Sequence, residues 1–150
     1  MMPARKIMPT TYLLLALTVM AGLHFLFPVM RLISPLWNLL GLVPLVGGVI
    51  LNLMADKAFH DAGTAVRPFE ESSALITKGV FRLSRNPMYL GFALILIGTA
   101  VLMGSLTPWL IVLPFGILME RIYIAVEERM LAAKFGTGWE EYREGTRRWI

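Results

Sequence analysis

The chain has 150 residues, of which 57% are hydrophobic, and a formal net charge of +4. Soluble domains are about 45–50% apolar even on a broader count, so this composition indicates a membrane protein and excludes an ordinary water-soluble domain. The length suits one domain, residues 1–150, and the absence of cysteine excludes disulfides, thiolate metal sites and a cysteine nucleophile.

Four apolar stretches predict membrane-spanning helices, because a spanning helix needs about 20 mostly apolar residues. They cover about residues 11–30, 36–56, 87–103 and 106–126. The last two are separated by only a Gly-Ser pair, which predicts a tight helical hairpin. The predicted fold is therefore an all-α, polytopic membrane bundle of about four transmembrane helices.

Two polar segments flank the hairpin. Residues 57–87 form a long connection, which we predict to be an ordered loop. The fourth helix is predicted to continue past the membrane until Gly136 and Gly138 break it, leaving a helical C-terminal tail. The tail's amphipathic pattern predicts that its large apolar residues lie at the membrane interface. These are Trp139, Tyr142, Trp149 and Ile150.

The basic residues predict an orientation. Of 14 Lys and Arg, Arg31 lies between the first two spans and Arg121 lies in the fourth, which leaves 12 in the N-terminus, the long loop and the tail. With four spans those three regions share one side, and the positive-inside rule makes that side, with both termini, cytoplasmic. The charge is expected to meet membrane lipids, and no nucleic-acid partner is expected. The sequence leaves the oligomeric state open.

The motif LSRNPMYLG, residues 83–91, stands where the long loop enters the third span. Pro87 suits the first turn of a helix, and Asn86 before it is a typical N-cap. The free N–H groups of such a helix start can bind an anion, such as a carboxylate. A capped helix start with Arg85 at the headgroups and Tyr89 in the aromatic belt fits the same residues, so both interpretations stay open.

A second candidate is the carboxylate pair Glu127 and Glu128 in MERIYIAVEERM. With 3.6 residues per turn, Glu120 and Glu127 are predicted to share one helix face, and Arg121 and Glu128 the adjacent one. Charged side chains here should face the bundle or water instead of lipid. A functional carboxylate site and a solvated helix end both fit this pattern.

The sequence gives little support for a metal site or for the common hydrolase and nucleotide-binding motifs. His24 and His60 have no partner at metal-ligand spacing, so no metal site is expected. Serine hydrolase, Walker and HExxH patterns are absent from the sequence.

The stretch SSALITKGVFRLSRNPMYLG, a hairpin, the EE pair and FGTGWEEYREGTRRWI together resemble the isoprenylcysteine carboxyl methyltransferase family. The related phospholipid N-methyltransferases carry a similar N-P-M-Y signature. The resemblance covers about residues 63–149. It implies an integral membrane enzyme that uses S-adenosylmethionine to methylate a lipophilic acceptor at the cytoplasmic membrane face. That acceptor is a lipid amine, a prenyl thiol or carboxylate, or another hydrophobic small molecule.

The resemblance also implies that the long loop is a cytoplasmic loop that covers the cofactor, and it implies site residues. Two positions depart from the prenylcysteine enzymes: Asn86 replaces histidine, and Tyr123 replaces an arginine, with Arg121 two residues away. Arg121 and Tyr123 are therefore the predicted substrate-binding residues, and Asn86 is closer to the phospholipid branch. No catalytic base is assigned. The predicted cofactor-binding residues are Ser73, Ala74, Leu75, Ile76, Phe81, Arg85, Asn86, Pro87, Met88, Tyr89, Glu127 and Glu128.

Two alternative functions are left open. Membrane reductases that use NADPH are structurally related to this family, although a dinucleotide needs a larger pocket. A non-enzymatic four-helix protein, such as a small transporter or adaptor, would also show four apolar spans.

Overall fold

The computed structural model describes residues 7–64, 68–70 and 72–150. Apart from one isolated bridge between Arg31 and Ser105, the described residues contain no β-structure, so the predicted all-α class is confirmed. The α-helices are α1 (Pro9–Leu26), α2 (Leu42–Asp61), α3 (Pro87–Met103), α4 (Trp109–Met119), α5 (Ala125–Phe135) and α6 (Thr137–Gly145). Short 3₁₀ helices occupy Trp37–Gly41 and Gly79–Arg82, and a π-helical turn at Glu120–Ile124 joins α4 to α5.

Among the residues that the structure describes, three helical stretches are long and apolar enough to cross a membrane: Pro9–Leu26, Trp37–Asp61 and Trp109–Phe135. Their mean hydropathy lies between 1.5 and 1.9. α3 is also apolar but has only 17 residues. It lies at the centre of the bundle, where Leu96 and Ala100 are fully buried. The predicted polytopic membrane bundle is confirmed, and α3 is its most protein-enclosed member.

α2 and α3 pack through glycines. Gly41, at the end of the first 3₁₀ helix, lies against Gly98. Gly48, seven residues further along the chain, lies against Gly91. A Cβ added at Gly98 would lie 2.6 Å from the backbone nitrogen of Leu45, so the two backbones leave no room for a side chain. Small residues at such positions are how membrane helices approach closely without a hydrophobic driving force.

The predicted hairpin between the last two spans is present. Gly104 adopts a φ of 71°, a left-handed conformation that ends α3 and that glycine accepts at low cost. Its carbonyl accepts hydrogen bonds from Leu32 at 2.7 Å and Ile33 at 3.1 Å, and His24 bonds Ser105 at 2.7 Å. The loop after α1 therefore ties down the hairpin at this end of the bundle.

The π-helical turn changes which side chains share a face. A π-helical turn holds one more residue than an α-helical turn, so it rotates everything after it. Glu120 consequently pairs with Arg148, whereas Glu127 accepts a hydrogen bond from Tyr89. The prediction that the two glutamates share one face was wrong, because it assumed an unbroken α-helical period.

The C-terminal tail differs from its prediction. Gly136, with a φ of 50°, ends α5 as predicted, but Gly138 lies inside α6. Trp139 and Tyr142 are buried against Phe81 and Ala55, with exposed fractions of 2% and 9%. Their predicted place at the membrane interface was wrong, since α6 folds its aromatic face onto the protein.

Candidate active site

A cavity of about 690 Å³ lies where the start of α1, the loop after α2, the start of α3, α5 and α6 meet. Small-molecule sites usually occupy about 300–1,000 Å³, so its volume suits a nucleoside-sized ligand. Its walls are mainly apolar, with a few carboxyl, amide, hydroxyl and cationic groups among them. The sequence supplies this wall from segments far apart in the chain, which only the fold brings together.

The deepest polar contact in the cavity joins α3 to α5. The hydroxyl of Tyr89 donates a hydrogen bond of 2.8 Å to Oε1 of Glu127, and both residues line the cavity. Tyr89 is held in turn by aromatic neighbours, with ring centroids 6.3 Å away at Phe92 and 6.0 Å away at Tyr123. The arrangement fixes one carboxylate oxygen of Glu127 and leaves the other able to accept a hydrogen bond from a ligand.

The start of α3 forms the neighbouring wall. Asn86 occupies the N-cap position as predicted, but its side chain makes no capping hydrogen bond. Its Nδ2 donates instead to the carbonyl of Arg148 at 3.2 Å, and its backbone N–H donates to Ser84 Oγ at 3.0 Å. The first N–H groups of a helix have no intrahelical partner, so this helix start remains available to an acceptor in the cavity.

Arg85 anchors the C-terminal tail beside that helix start. It donates to Glu128 Oε1 at 3.1 Å and, through Nη1, to the carbonyls of Arg143 and Thr146 at 2.9 and 2.7 Å. Its guanidinium lies 5.8 Å from the ring centroid of Trp139, within cation–π range. Most of its donors are therefore used within the protein.

Glu128 joins this contact to the last turn of the chain. Arg148 donates to Glu128 Oε2 at 2.6 Å and to Glu120 Oε1 at 2.7 Å. Hydrogen bonding to Glu128 raises the pKa of the Arg148 guanidinium further above its ordinary value. We call the four residues Arg85, Glu128, Arg148 and Glu120 the ionic network. The ionic network holds residues 143–149 against the motif at residues 83–91.

Phe81, Phe59 and Tyr142 form an aromatic wall of the cavity. Phe81 meets Phe59 edge-to-face at 5.4 Å, and its carbonyl accepts a hydrogen bond of 2.6 Å from Tyr142. Burial raises the pKa of Tyr142 to about 12, so its hydroxyl stays a neutral donor at physiological pH. This wall positions α6 and keeps water from one side of the cavity.

The structure brings most of the predicted cofactor-binding residues into the cavity, but not all. Ser73 turns away: its hydroxyl donates to Gly63, and its N–H donates to Thr64. Glu128 lies outside the lining, in the ionic network. The predicted residues that do line the cavity are Ala74, Leu75, Ile76, Phe81, Arg85, Asn86, Pro87, Met88, Tyr89 and Glu127.

Neither predicted substrate-binding residue lines the cavity. The side chain of Arg121 is exposed on the π-helical turn. Tyr123 is only 1% exposed; it stacks on Phe69 and donates its hydroxyl to the carbonyl of Ile7. Tyr123 therefore packs behind two lining residues, Phe69 and Tyr89.

Sequence reasoning missed several residues of this site. Asp56 and Phe59 of α2 line the cavity, as do Trp139 and Tyr142 of α6. Asp56 and Phe59 lie about one helical turn apart, just after the apolar run of α2. This spacing could have indicated that both side chains lie on one face at the polar end of the helix. No local pattern marked Arg148 as a partner of two glutamates. No group of three potential metal ligands occurs among the residues that the structure describes.

Comparisons with known proteins identify the family of the chain. A model of the phospholipid methyltransferase family matches residues 36–138. A probable protein-S-isoprenylcysteine O-methyltransferase of Oryza sativa subsp. indica is 34% identical over 104 residues, covering 67% of this chain and 53% of the rice protein. The corresponding enzyme of Schizosaccharomyces pombe is 32% identical over 73 residues, covering 47% of this chain and 30% of the yeast protein.

A solved structure of a methyltransferase has a similar fold. The eukaryotic intramembrane Ras methyltransferase, an isoprenylcysteine carboxyl methyltransferase, superposes with a TM-score of 0.69 and 25% identity. The superposition covers 99% of this chain and 54% of the solved chain. This chain therefore spans about half the length of these methyltransferases. The match to the family model covers more than half of the chain, and the protein belongs to the phospholipid methyltransferase family.

Proposed function

We propose that this protein transfers a methyl group from S-adenosylmethionine to a lipophilic acceptor within the cavity. The observation that carries the proposal is the Tyr89–Glu127 hydrogen bond of 2.8 Å, which places an oriented carboxylate beside the start of α3 in a cavity of about 690 Å³. Membership of a methyltransferase family supports the assignment.

The cavity fits the proposed cofactor by volume and by charge. Glu127 offers an acceptor for an ammonium group or ribose hydroxyls. The uncapped start of α3 offers backbone N–H donors to a carboxylate, which helix N-termini favour. Phe81, Phe59 and neighbouring aliphatic residues provide apolar walls for a purine and for a sulfonium. S-adenosylmethionine supplies an activated methyl group bonded to a positively charged sulfur.

The surrounding residues suit methyl transfer. In an in-line displacement from a sulfonium, positive charge disperses in the transition state, so an apolar site that excludes water favours the reaction. The aromatic wall and α6 exclude water from one side, and the Tyr89–Glu127 bond restricts how a ligand sits. We propose that positioning supplies most of the rate enhancement, and no side chain is assigned as a general base.

The acceptor is proposed to be lipophilic because the cavity lies in a membrane bundle. A lipid amine, a prenyl thiol or carboxylate, and another hydrophobic small molecule are the candidate classes. Recognition of a carboxylate would need a cation: neither Arg121 nor Arg148 lines the cavity and Arg85 is held by Glu128 and two carbonyls, but Lys134 is one of the lining residues. All three acceptor classes therefore stay in the proposal.

We propose that the cavity opens at the cytoplasmic face. The N-terminal segment, the long loop and the residues after the fourth span carry 12 of the 14 Lys and Arg residues. The start of α1, the described part of the long loop and α6 meet at the cavity. The positive-inside rule supports a cytoplasmic position for that end. S-adenosylmethionine, a cytosolic metabolite, would then reach the site directly.

The experiment is a product screen. Purified protein in lipid nanodiscs receives S-adenosylmethionine with an isotopically labelled methyl group, together with extracts of membrane lipids and prenylated small molecules. Mass spectrometry then identifies labelled products, and Glu127→Gln in the same nanodiscs is the control. A labelled lipophilic product that depends on Glu127 is expected; its absence across all acceptor classes contradicts the proposal.

The two alternatives predict other results. A reductase would gain thermal stability from NADPH and not from S-adenosylhomocysteine, and the known relatives that support the methyltransferase offer it no support. A transporter or adaptor would retain its function with alanine at Glu127. A thermal-shift comparison of the two cofactors separates the first alternative from the proposed function.

A further inference from the structure

Two residues in the long connection after α2 are bonded to each other although they lie nine positions apart. The backbone N–H of Ser73 donates to Oγ1 of Thr64 at 2.8 Å, and the Ser73 hydroxyl donates to the carbonyl of Gly63 at 3.2 Å. Thr64 is 8% exposed and lies outside the lining of the cavity. We call Gly63, Thr64 and Ser73 the loop clasp. Because a buried hydroxyl accepts the N–H of Ser73, water competes with this bond less than with the exposed bond to Gly63.

Helix α2 holds Thr64 in place. The N–H of Thr64 donates to the carbonyl of Phe59 at 3.2 Å, and the N–H of Gly63 donates to the carbonyl of His60 at 3.0 Å. With Gly63 at a φ of 60°, these two bonds form the Schellman motif that commonly ends a helix. Thr64 is therefore a rigid extension of α2. The N–H of Ser73 is consequently tied to a fixed point at the end of that helix.

The chain on both sides of Ser73 lines the cavity. Residues 68–70 and 72 do so before it, and Ala74, Leu75 and Ile76 do so after it. The residues that follow Ser73 belong to no helix or strand until the 3₁₀ helix begins at Gly79. We call residues 74–76 the wall segment. The loop clasp fixes one end of this segment and the 3₁₀ helix fixes the other, which restricts its arrangements before any ligand arrives.

We propose that Thr64 is a positioning residue of the cavity: through Ser73, its hydroxyl holds the wall segment in the arrangement that binds the methyl donor. A wall that is ordered in advance binds more tightly, because less conformational entropy is lost on binding. The identity of the ligand rests on the proposed function, whereas the loop clasp does not. Ser73 then acts on the site through the backbone, in place of the cofactor contact that was predicted for it.

The test compares two substitutions at one position. Thr64→Val keeps the shape of the side chain and removes the hydroxyl, so calorimetry on purified protein should show affinity for S-adenosylhomocysteine about three- to tenfold weaker. Thr64→Ser keeps the hydroxyl and should bind like the unmodified protein. Thr99→Val is the matched control, since the Thr99 hydroxyl bonds only the carbonyl of Ile95 in its own helix, and it should also bind normally. Equal affinity of Thr64→Val and the unmodified protein, or an equal loss in Thr64→Ser, would overturn the proposal.

Hydrogen–deuterium exchange tests the loop clasp without any ligand. Peptides that cover residues 73–76 should exchange faster in Thr64→Val than in the unmodified protein, Thr64→Ser or Thr99→Val. Unchanged exchange in Thr64→Val would refute the positioning role even if S-adenosylhomocysteine binds. If the unmodified protein binds no S-adenosylhomocysteine but the exchange changes as expected, the proposed function fails while the positioning of the wall segment by Thr64 is supported.

Discussion

Glu127 is the residue on which the proposed cofactor site depends most. Glu127→Gln keeps the shape of the side chain and removes its charge. A hydrogen bond to a charged group is worth about 1.5–3 kcal/mol, so we expect affinity for S-adenosylhomocysteine to fall about tenfold or more. Equilibrium dialysis measures the loss. Glu141→Gln, on the exposed side of α6, is the matched control and should bind normally.

Arg148 is expected to stabilise the fold through the ionic network. Arg148→Ala leaves Glu120 and Glu128 without this partner, and the side chain of Glu128 is only 11% exposed. Since Arg148 itself is partly solvated, we expect a loss of about 1–2 kcal/mol and a lower melting temperature in detergent. Arg147→Ala, whose side chain is exposed, should melt close to the unmodified protein. Equal melting temperatures for the two variants would contradict a structural role for the network.

For single residues, the sequence indicated which side chains have functional chemistry better than it indicated which side chains contact one another. The motif at residues 83–91 and Glu127 were identifiable because proline, asparagine and carboxylate carry distinct chemistry at a helix end. Arg148 was not, because its partner Glu120 lies 28 residues away and no local spacing links them. Arg121 and Tyr123 were predicted from the family resemblance, and the prediction that Glu120 and Glu127 share a helix face came from helical period, which the π-helical turn interrupts.

Among the helices, the glycine contacts between α2 and α3 give the clearest prediction. Gly98→Ala adds only a Cβ, but that atom would lie 2.6 Å from the nitrogen of Leu45 and 2.7 Å from its Cβ. The helices must separate, which we expect to destabilise the fold by about 1–3 kcal/mol. Thermal unfolding followed by circular dichroism measures this. Gly47→Ala, where a Cβ meets nothing, is the control, and an equal loss there would refute the close contact.

The C-terminal tail should matter for the cavity more than for the spans. Deleting residues 146–150 removes the carbonyl partners of Ser84 and Asn86 and the guanidinium that bonds Glu128. We expect helical content to be largely retained while affinity for S-adenosylhomocysteine falls, because the start of α3 loses its support. Circular dichroism and ligand binding on the same preparation separate the effects. Unchanged affinity would show that the tail does not position the site.

Spans were easier to predict than their junctions. The boundaries of α3 coincide with the predicted third span, since Pro87 and Gly104 mark its ends by backbone chemistry. The π-helical turn after α4 carries no such marker. The burial of Trp139 and Tyr142 was also beyond the sequence, because an amphipathic segment fits a membrane surface or a protein surface equally well.

For the whole molecule, the proposed orientation can be tested directly because the chain has no cysteine. Single-cysteine variants Glu144→Cys in α6 and Ser34→Cys in the loop after α1 place a thiol at opposite ends, both at exposed positions. In intact cells a membrane-impermeant maleimide should label Ser34→Cys and reach Glu144→Cys only after the membrane is opened. Labelling of Glu144→Cys from outside would reverse the proposed sidedness.

The central claim is that the bundle holds a methyl-donor site between Tyr89, Glu127 and the start of α3. Isothermal titration calorimetry with S-adenosylhomocysteine, on purified protein in detergent, tests it most directly. We predict saturable binding at one site per chain, weakened by Glu127→Gln and unaffected by Glu141→Gln. No binding heat over a range of temperatures, in protein that still shows a cooperative thermal transition, would contradict the claim.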